Sequence, residues 1–133
     1  MTRVFAETSA IIALLVSSDA SHRAAVKAFA RLEERKAPLI TSSYALLETY
    51  ALVGSRLGPS AVRAFRDDFA PLLEVVWVDA TLHEQGLDLL LDRGIRRLSL
   101  VDAVSFVIMR SQDIDQAFAY DRHFEQEGFS LIG

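Results

Sequence analysis

The chain has 133 residues, no Cys, and 18 Asp and Glu against 14 Lys and Arg, for a formal charge of −4. The length fits one domain over residues 1–133, a hydrophobic content of 51% excludes a disordered chain, and no apolar run nears the ~20 residues of a membrane span. Without Cys there are no disulfides or thiolate metal sites, the N-terminus lacks the basic start of a signal peptide, and the acidic total argues against nucleic-acid binding by bulk charge; a cytoplasmic location is expected.

Short apolar runs alternate with longer helical patterns. Val4-Phe5-Ala6 reads as a strand, and Thr8 or Ser9 can cap a helix that buries Ile11, Ile12, Leu14 and Leu15. Asp19 or Ser21 opens a second helix through Ala25, Phe29 and Leu32. Pro38 breaks the chain, and Leu39-Ile40-Thr41 forms the second strand. Ser42 or Ser43 caps a third helix with Leu46, Leu47, Tyr50 and Val53 inward. After Gly58-Pro59, Ser60 caps a helix containing Phe65 and Phe69, which Pro71 ends. Leu73 to Val78 is the clearest strand, rich in β-branched and aromatic residues. Asp79 caps the helix through Leu82, Leu87, Leu90 and Leu91, and Gly94 stops it. Ser99 caps a strongly apolar helix, Leu100 to Met109. Ala117 to Tyr120 reads as a fourth strand, and a turn of helix and Gly128 lead to a last run, Phe129 to Ile132.

Strands separated by helical crossovers imply an α/β fold with a mostly parallel sheet and helices on both faces. Ligands of such sheets bind outside the carboxyl ends of the strands. Glu7 directly follows the first strand and Asp121 the fourth. Asp102 lies in the first turn of its helix, and Glu48 in the second turn of the helix leaving the second strand. All four can converge at one sheet edge, and each sits among apolar residues, where an unpaired carboxylate is costly. Singly, each has a plainer reading. Asp102 can favour a helix dipole, Asp121 can cap the short helix after it, and Glu48 can pair with Arg56 or Arg110. Glu7 is the hardest to explain this way, because Glu is a weak cap and a poor strand residue. Converging carboxylates repel, and few basic residues abut them. Mg²⁺ or Mn²⁺ is the natural partner of an all-oxygen site, and paired ions suit phosphodiester hydrolysis.

The segments carrying these acids resemble a known family. Val4-Phe5-Ala6-Glu7-Thr8-Ser9, Thr41-Ser42-Ser43 through Leu47-Glu48, Leu98-Ser99-Leu100-Val101-Asp102-Ala103 and Tyr120-Asp121-Arg122-His123-Phe124 stand in that order across the chain. Together they resemble a PIN-domain ribonuclease, specifically a stand-alone VapC-type toxin of bacterial toxin–antitoxin systems. The resemblance implies a three-layer α/β/α fold with a five-stranded, mostly parallel central sheet. It implies Mg²⁺- or Mn²⁺-dependent RNA cleavage, homodimerisation and a cognate antitoxin. Glu7, Glu48, Asp102 and Asp121 match the family's catalytic and metal-binding acids, and Thr8 and Ser9 its hydroxyl residues, which orient the site by hydrogen bonding. Glu7 departs from the usual Asp. It adds one methylene, about 1.5 Å of reach, against a tolerance of ~0.2 Å in metal–ligand distances.

The leading expectation is therefore a metal-dependent endoribonuclease. The alternative is a catalytically impaired PIN-fold module that binds RNA or protein, with Glu7 as its signature. A receiver-like phosphoacceptor lacks its paired early acids and late Lys, and no P-loop is present. His22 and His123 read as structural or surface residues and His83 as solvent-facing. Arg93, Arg96 and Arg97 form the tightest basic cluster, either a solvated loop or a phosphate contact. Leu47, Tyr50, Phe65 and Phe69 are candidates for an apolar partner patch.

Overall fold

The first strand, β1 (Val4–Ala6), is buried along its whole length, and its alternate residues feed two separate cores. The computed structural model describes residues 2–133; Met1, within the expected domain, lies outside the described residues. Helices α1 (Thr8–Leu15) and α2 (His22–Glu34) lead to β2 (Leu39–Ser42), and α3 (Ser43–Leu57) and α4 (Pro59–Ala64) follow. A π-helical turn (Phe65–Phe69) and a 3₁₀ turn (Ala70–Leu72) enter β3 (Leu73–Val76). Then come α5 (Ala80–Arg93), α6 (Leu100–Ser111), β4 (Gln116–Phe118), α7 (His123–Gln126) and β5 (Ser130–Ile132).

The five strands form one wholly parallel sheet in the order β3-β2-β1-β4-β5. Phe5 is in register with Ile40 and Ala117, so all three point to the core that also holds Phe106, Met109 and Phe124. Val4 and Ala6 point the other way, to the core of Ile11, Leu32, Leu39, Phe65 and Phe118. Helices therefore cover both faces, as the alternating pattern predicts.

Most of the expected caps form. Ser42 accepts from the Ala45 N–H at 2.9 Å, Asp79 from Leu82 at 2.8 Å and Ser99 from Asp102 at 3.1 Å. Gly94 ends α5 in the left-handed conformation, with φ 61°. Two caps differ. Glu7, not Thr8 or Ser9, caps α1, and Gly58 with Pro59 at the first helical position, not Ser60, opens α4.

The strand bounds are tighter than expected. β3 pairs only with β2, which ends at Ser42 where α3 begins, so β3 stops at Val76 and Trp77 is 74% exposed. β4 stops at Phe118, opposite the last residue of β1. Phe65 and Phe69 belong to the π-helical turn. They stack on each other at 5.6 Å and meet Tyr50 and Phe29 at 5.0 and 5.5 Å. Three members of the expected partner patch thus pack together, and only Leu47 stands out, 70% exposed.

Helix α5 crosses α6 at a glycine. A Cβ on Gly86 would lie 2.4 Å from Val104 Cγ2 and 3.3 Å from its backbone. Because Val104 follows Asp102 by two residues, this contact also sets where α6 presents its acid. Gly86→Ala should destabilise the protein by about 1–3 kcal/mol through overpacking, despite the better helix propensity of Ala. Thermal or denaturant unfolding measures this; equal or greater stability would refute the tight crossing.

Candidate active site

The chain runs outward from β1 through β2 to β3, then returns to place β4 on the other side of β1. The order reverses between β1 and β4, and a crevice opens at their carboxyl ends. Glu7 leaves one of these strands and Asp121 follows the other. Asp102 reaches the same edge from the first turn of α6, where the Ser99 hydroxyl holds its N–H.

Asp102, Asp121 and His123 each offer a ligand atom within 4.8 Å of the others. The fold sets His123, which reads as a structural or surface residue in the sequence, beside both acids. Its Nδ1 lies 2.8 Å from Asp121 Oδ1, without the alignment of a hydrogen bond. The same Oδ1 accepts from the His123 N–H at 2.9 Å. Asp121 therefore does two jobs that the sequence offered as alternatives: it stabilises the turn into α7 and faces the cluster. Its two-residue spacing to His123, across that turn, is the sequence signal of this pairing.

Glu7 is buried, 6% exposed, and stands beside this group. The Ser9 N–H donates to its Oε2 at 2.9 Å, and the Ser9 hydroxyl donates to the same oxygen in a short contact. Ser9 Oγ also accepts from the Tyr120 N–H at 2.9 Å, tying Glu7 to the segment that carries Asp121. Thr8 acts one step further away. It is buried and donates to the Ala45 carbonyl at 3.1 Å, fastening α1 to α3, the helix of Glu48. Glu48 is partly buried and faces Glu7 across a cleft of about 280 Å³ that Ile12, Asp19, Leu52 and Arg56 also line. The ion pairs of the described residues do not include Glu48. Arg110, one suggested partner, binds Glu127 instead at 2.6 Å. The closest-knit group is thus two carboxylates and an imidazole, with Glu7 and Glu48 lining the adjoining cleft.

The electrostatics follow from crowding. Burial pushes the Glu7 carboxyl up to about 7, with the charges of Asp121 and Glu48 adding to the rise and Ser9 opposing it. Burial also pushes Asp102 (7% exposed) well above the usual carboxylate range, helped by the charges of Asp121 and Glu7 and by a hydrogen bond shared with Asp121. Such a cluster either keeps protons or holds a cation. A donor set dominated by carboxylate oxygens fits a hard divalent ion.

The other notable residues are accounted for structurally. His22 Nδ1 lies 2.8 Å from the Ala13 carbonyl, and His83 is not free in solvent but meets the Tyr44 hydroxyl at 2.6 Å. Arg93 separates from its neighbours in sequence. It grips Glu127 through two nitrogens at 2.7 and 3.2 Å, while Arg96 and Arg97 are exposed. Glu127, which reads as an ordinary surface acid, is nearly buried between Arg93 and Arg110. Their guanidinium groups hold its carboxyl below the usual range.

The sequence profile of the PIN domain matches residues 4–129. The chain belongs to the PIN-domain family. It is 37% identical over 128 residues to VapC20 of Mycobacterium tuberculosis, a 23S rRNA-specific endonuclease, in strains CDC 1551 and H37Rv, covering 95% of both chains. The crystal structure of that VapC20, described as a sarcin–ricin loop cleaving toxin, superposes with a TM-score of 0.82 at 36% identity over 95% of each chain. FitAcB from Neisseria gonorrhoeae shares the fold, with a TM-score of 0.70 at 13% identity over 98% of this chain and 96% of its own.

Stability should record the crowding. Glu7 binds its proton more tightly in the folded chain than in the unfolded one, so its contribution is full below about 4.5 and is lost as pH rises toward about 7. Metal-free protein should be less stable near pH 8 than near pH 5, by on the order of 3 kcal/mol from Glu7 alone. Mn²⁺ should restore most of the loss at the higher pH. Melting curves in chelator and in Mn²⁺ test this; a metal-free profile that rises between the two pH values would contradict it.

Proposed function

We propose that the chain is a VapC-type endoribonuclease that hydrolyses RNA phosphodiesters with Mg²⁺ or Mn²⁺ held by Asp102, Asp121 and His123, with Glu7 and Glu48 completing the acidic cleft. The grouping of Asp102, Asp121 and His123 carries this reading. Full-length similarity to an rRNA-cleaving enzyme supports it, and makes the sarcin–ricin loop of 23S rRNA the first substrate to try. A non-cleaving binding module has no comparable support.

When bound, the ion supplies Lewis-acid chemistry: it makes a water nucleophilic at neutral pH and offsets charge building on the phosphoryl oxygens. The protein supplies position. Ser99 fixes the first turn of α6, and so the direction from which Asp102 enters. Ser9 holds Glu7 and the Tyr120 backbone in one network. Asp102 and Glu7 would be held as carboxylates beside such a cation, because its charge would offset the burial and the repulsion that favour their protonated forms. Glu48, which lines the same cleft as Glu7, would accept a hydrogen bond from the attacking water. Arg96 and Arg97, exposed on the loop leading to Ser99, would meet RNA phosphates.

A cognate antitoxin, a homodimer and a cytoplasmic site of action complete the proposal. Exposed Leu47, Trp77 and Leu91 leave apolar surface for protein partners. No helix among the described residues is long and apolar enough to cross a membrane.

Antitoxin-free protein should cut RNA in Mn²⁺, and Asp102→Asn should slow it by more than about 100-fold, beyond the range seen for groups that only support a metal ligand. Wild-type protein inert on every RNA, or an unchanged Asp102→Asn rate, would refute the assignment. The double variant Arg96→Ala, Arg97→Ala should weaken RNA binding and flatten its salt dependence by about 0.7 in the log–log slope per lost single-strand contact. An unaltered slope would return both residues to the role of a solvated loop.

A further inference from the structure

A second concavity adjoins the acidic cluster through His123. It has a volume of about 300 Å³ and is lined by Arg93, Ile95, Leu98, His123, Gln126 and Glu127. It shares no residue with the cleft between Glu7 and Glu48. We propose that this cavity receives one unpaired RNA base beside the cleaved phosphate and sets which base is accepted there. This rests on the RNA-cleaving reading above and gives that reading a specificity element.

Three observations carry it. The first is charge. Arg93 is bound through two nitrogens to Glu127 and through a third to Asp92 at 2.9 Å, and Glu127 also holds Arg110. The lining therefore offers no free cation for a phosphate and no bare carboxylate to repel a nucleotide. A neutral group is the fitting guest. The second is shape and surface. The His123 ring and the Arg93 guanidinium are flat groups of the kind on which unstacked bases lie, and Leu98 and Ile95 supply apolar walls. Ile95 is 42% exposed, an apolar side chain left in water at the cavity wall. Gln126 is exposed on α7 and brings an amide that both donates and accepts, as reading a base edge requires. The third is context. His123 belongs at once to this cavity and to the cluster with Asp102 and Asp121. The two residues after Ile95 are the exposed Arg96 and Arg97, so phosphates flanking the base meet charge where the base meets none. A single-stranded loop whose bases splay outward presents this combination, and a stacked duplex does not.

The test separates the cavity from the chemistry. Asp102→Asn protein, or metal-free wild type as a second preparation, is used to select binders from a short randomised single-stranded RNA pool. One base should dominate at one position. Gln126→Ala and Ile95→Ala should flatten that preference, while Glu125→Ala, an exposed neighbour outside the cavity, should keep it. An RNA lacking the base at that position should bind about tenfold more weakly. Unchanged preference in both cavity variants, or equal binding of the abasic RNA, overturns the inference. Cleavage in Mn²⁺ is scored separately. Preference without cleavage leaves the cavity standing and sinks the nuclease, and cleavage with unaltered preference in both variants does the reverse.

Discussion

Two buried carboxylates, Glu7 and Asp102, face the charge of Asp121 at the edge where the sheet order reverses, and most of the molecule's specific features answer to that crowding. Isolated charges of this kind would be neutralised by protonation, and both groups are indeed pushed toward their neutral forms. A divalent cation is the alternative that lets the oxygens stay charged. In the proposed reading, the cost of bringing the acids together would be the source of an affinity for metal. Proton release and metal binding would then be one event.

The fold holds this arrangement with short polar links rather than a large polar core. Ser9 joins the first and fourth strand ends, Thr8 joins α1 to α3, and Ser99 fixes the start of α6. Glu127 gathers Arg93 and Arg110 from the last turns of α5 and α6. That knot ties the end of α5, where the loop carrying Ile95, Arg96 and Arg97 begins, to the far end of α6. Gly86 lets the same helices approach closely. Ion-paired helix ends and an exposed loop would suit the proposed placing of a flexible RNA strand against the cluster.

Much of this was legible in the sequence. Apolar runs bounded by Ser, Asp, Gly and Pro gave the element order, and the crossover rule then located the carboxyl edge. Four acids in apolar surroundings pointed to that edge without any coordinates. What escaped were features decided by tertiary partners. Trp77 and Val78 have strand character but no strand beside them once β2 turns into α3. His83 reads as exposed until Tyr44 is brought to it. Glu127 looks like surface charge in a polar run, because its two Arg partners lie 34 and 17 residues away. His123 reads as a structural or surface residue, yet a turn brings it to Asp121. Glu7 as a cap escaped because local rules rank Glu poorly there, yet its carboxylate accepts from the Ser9 N–H.

The formal charge of −4 has a place in this account. Glu7, Glu48, Asp102 and Asp121 make up the entire excess of acid, leaving 14 acids against 14 bases elsewhere. With a cation as its neutraliser, as proposed, this acidity would not bar an RNA partner. Anomalous diffraction from crystals equilibrated with Mn²⁺ near pH 8 tests this most directly. A peak is expected at ligand distance, about 2.0–2.3 Å, from carboxylate oxygens of Asp102 and Asp121. Saturating Mn²⁺ with no peak between them, and Asp102 still sharing a proton with Asp121, would contradict it.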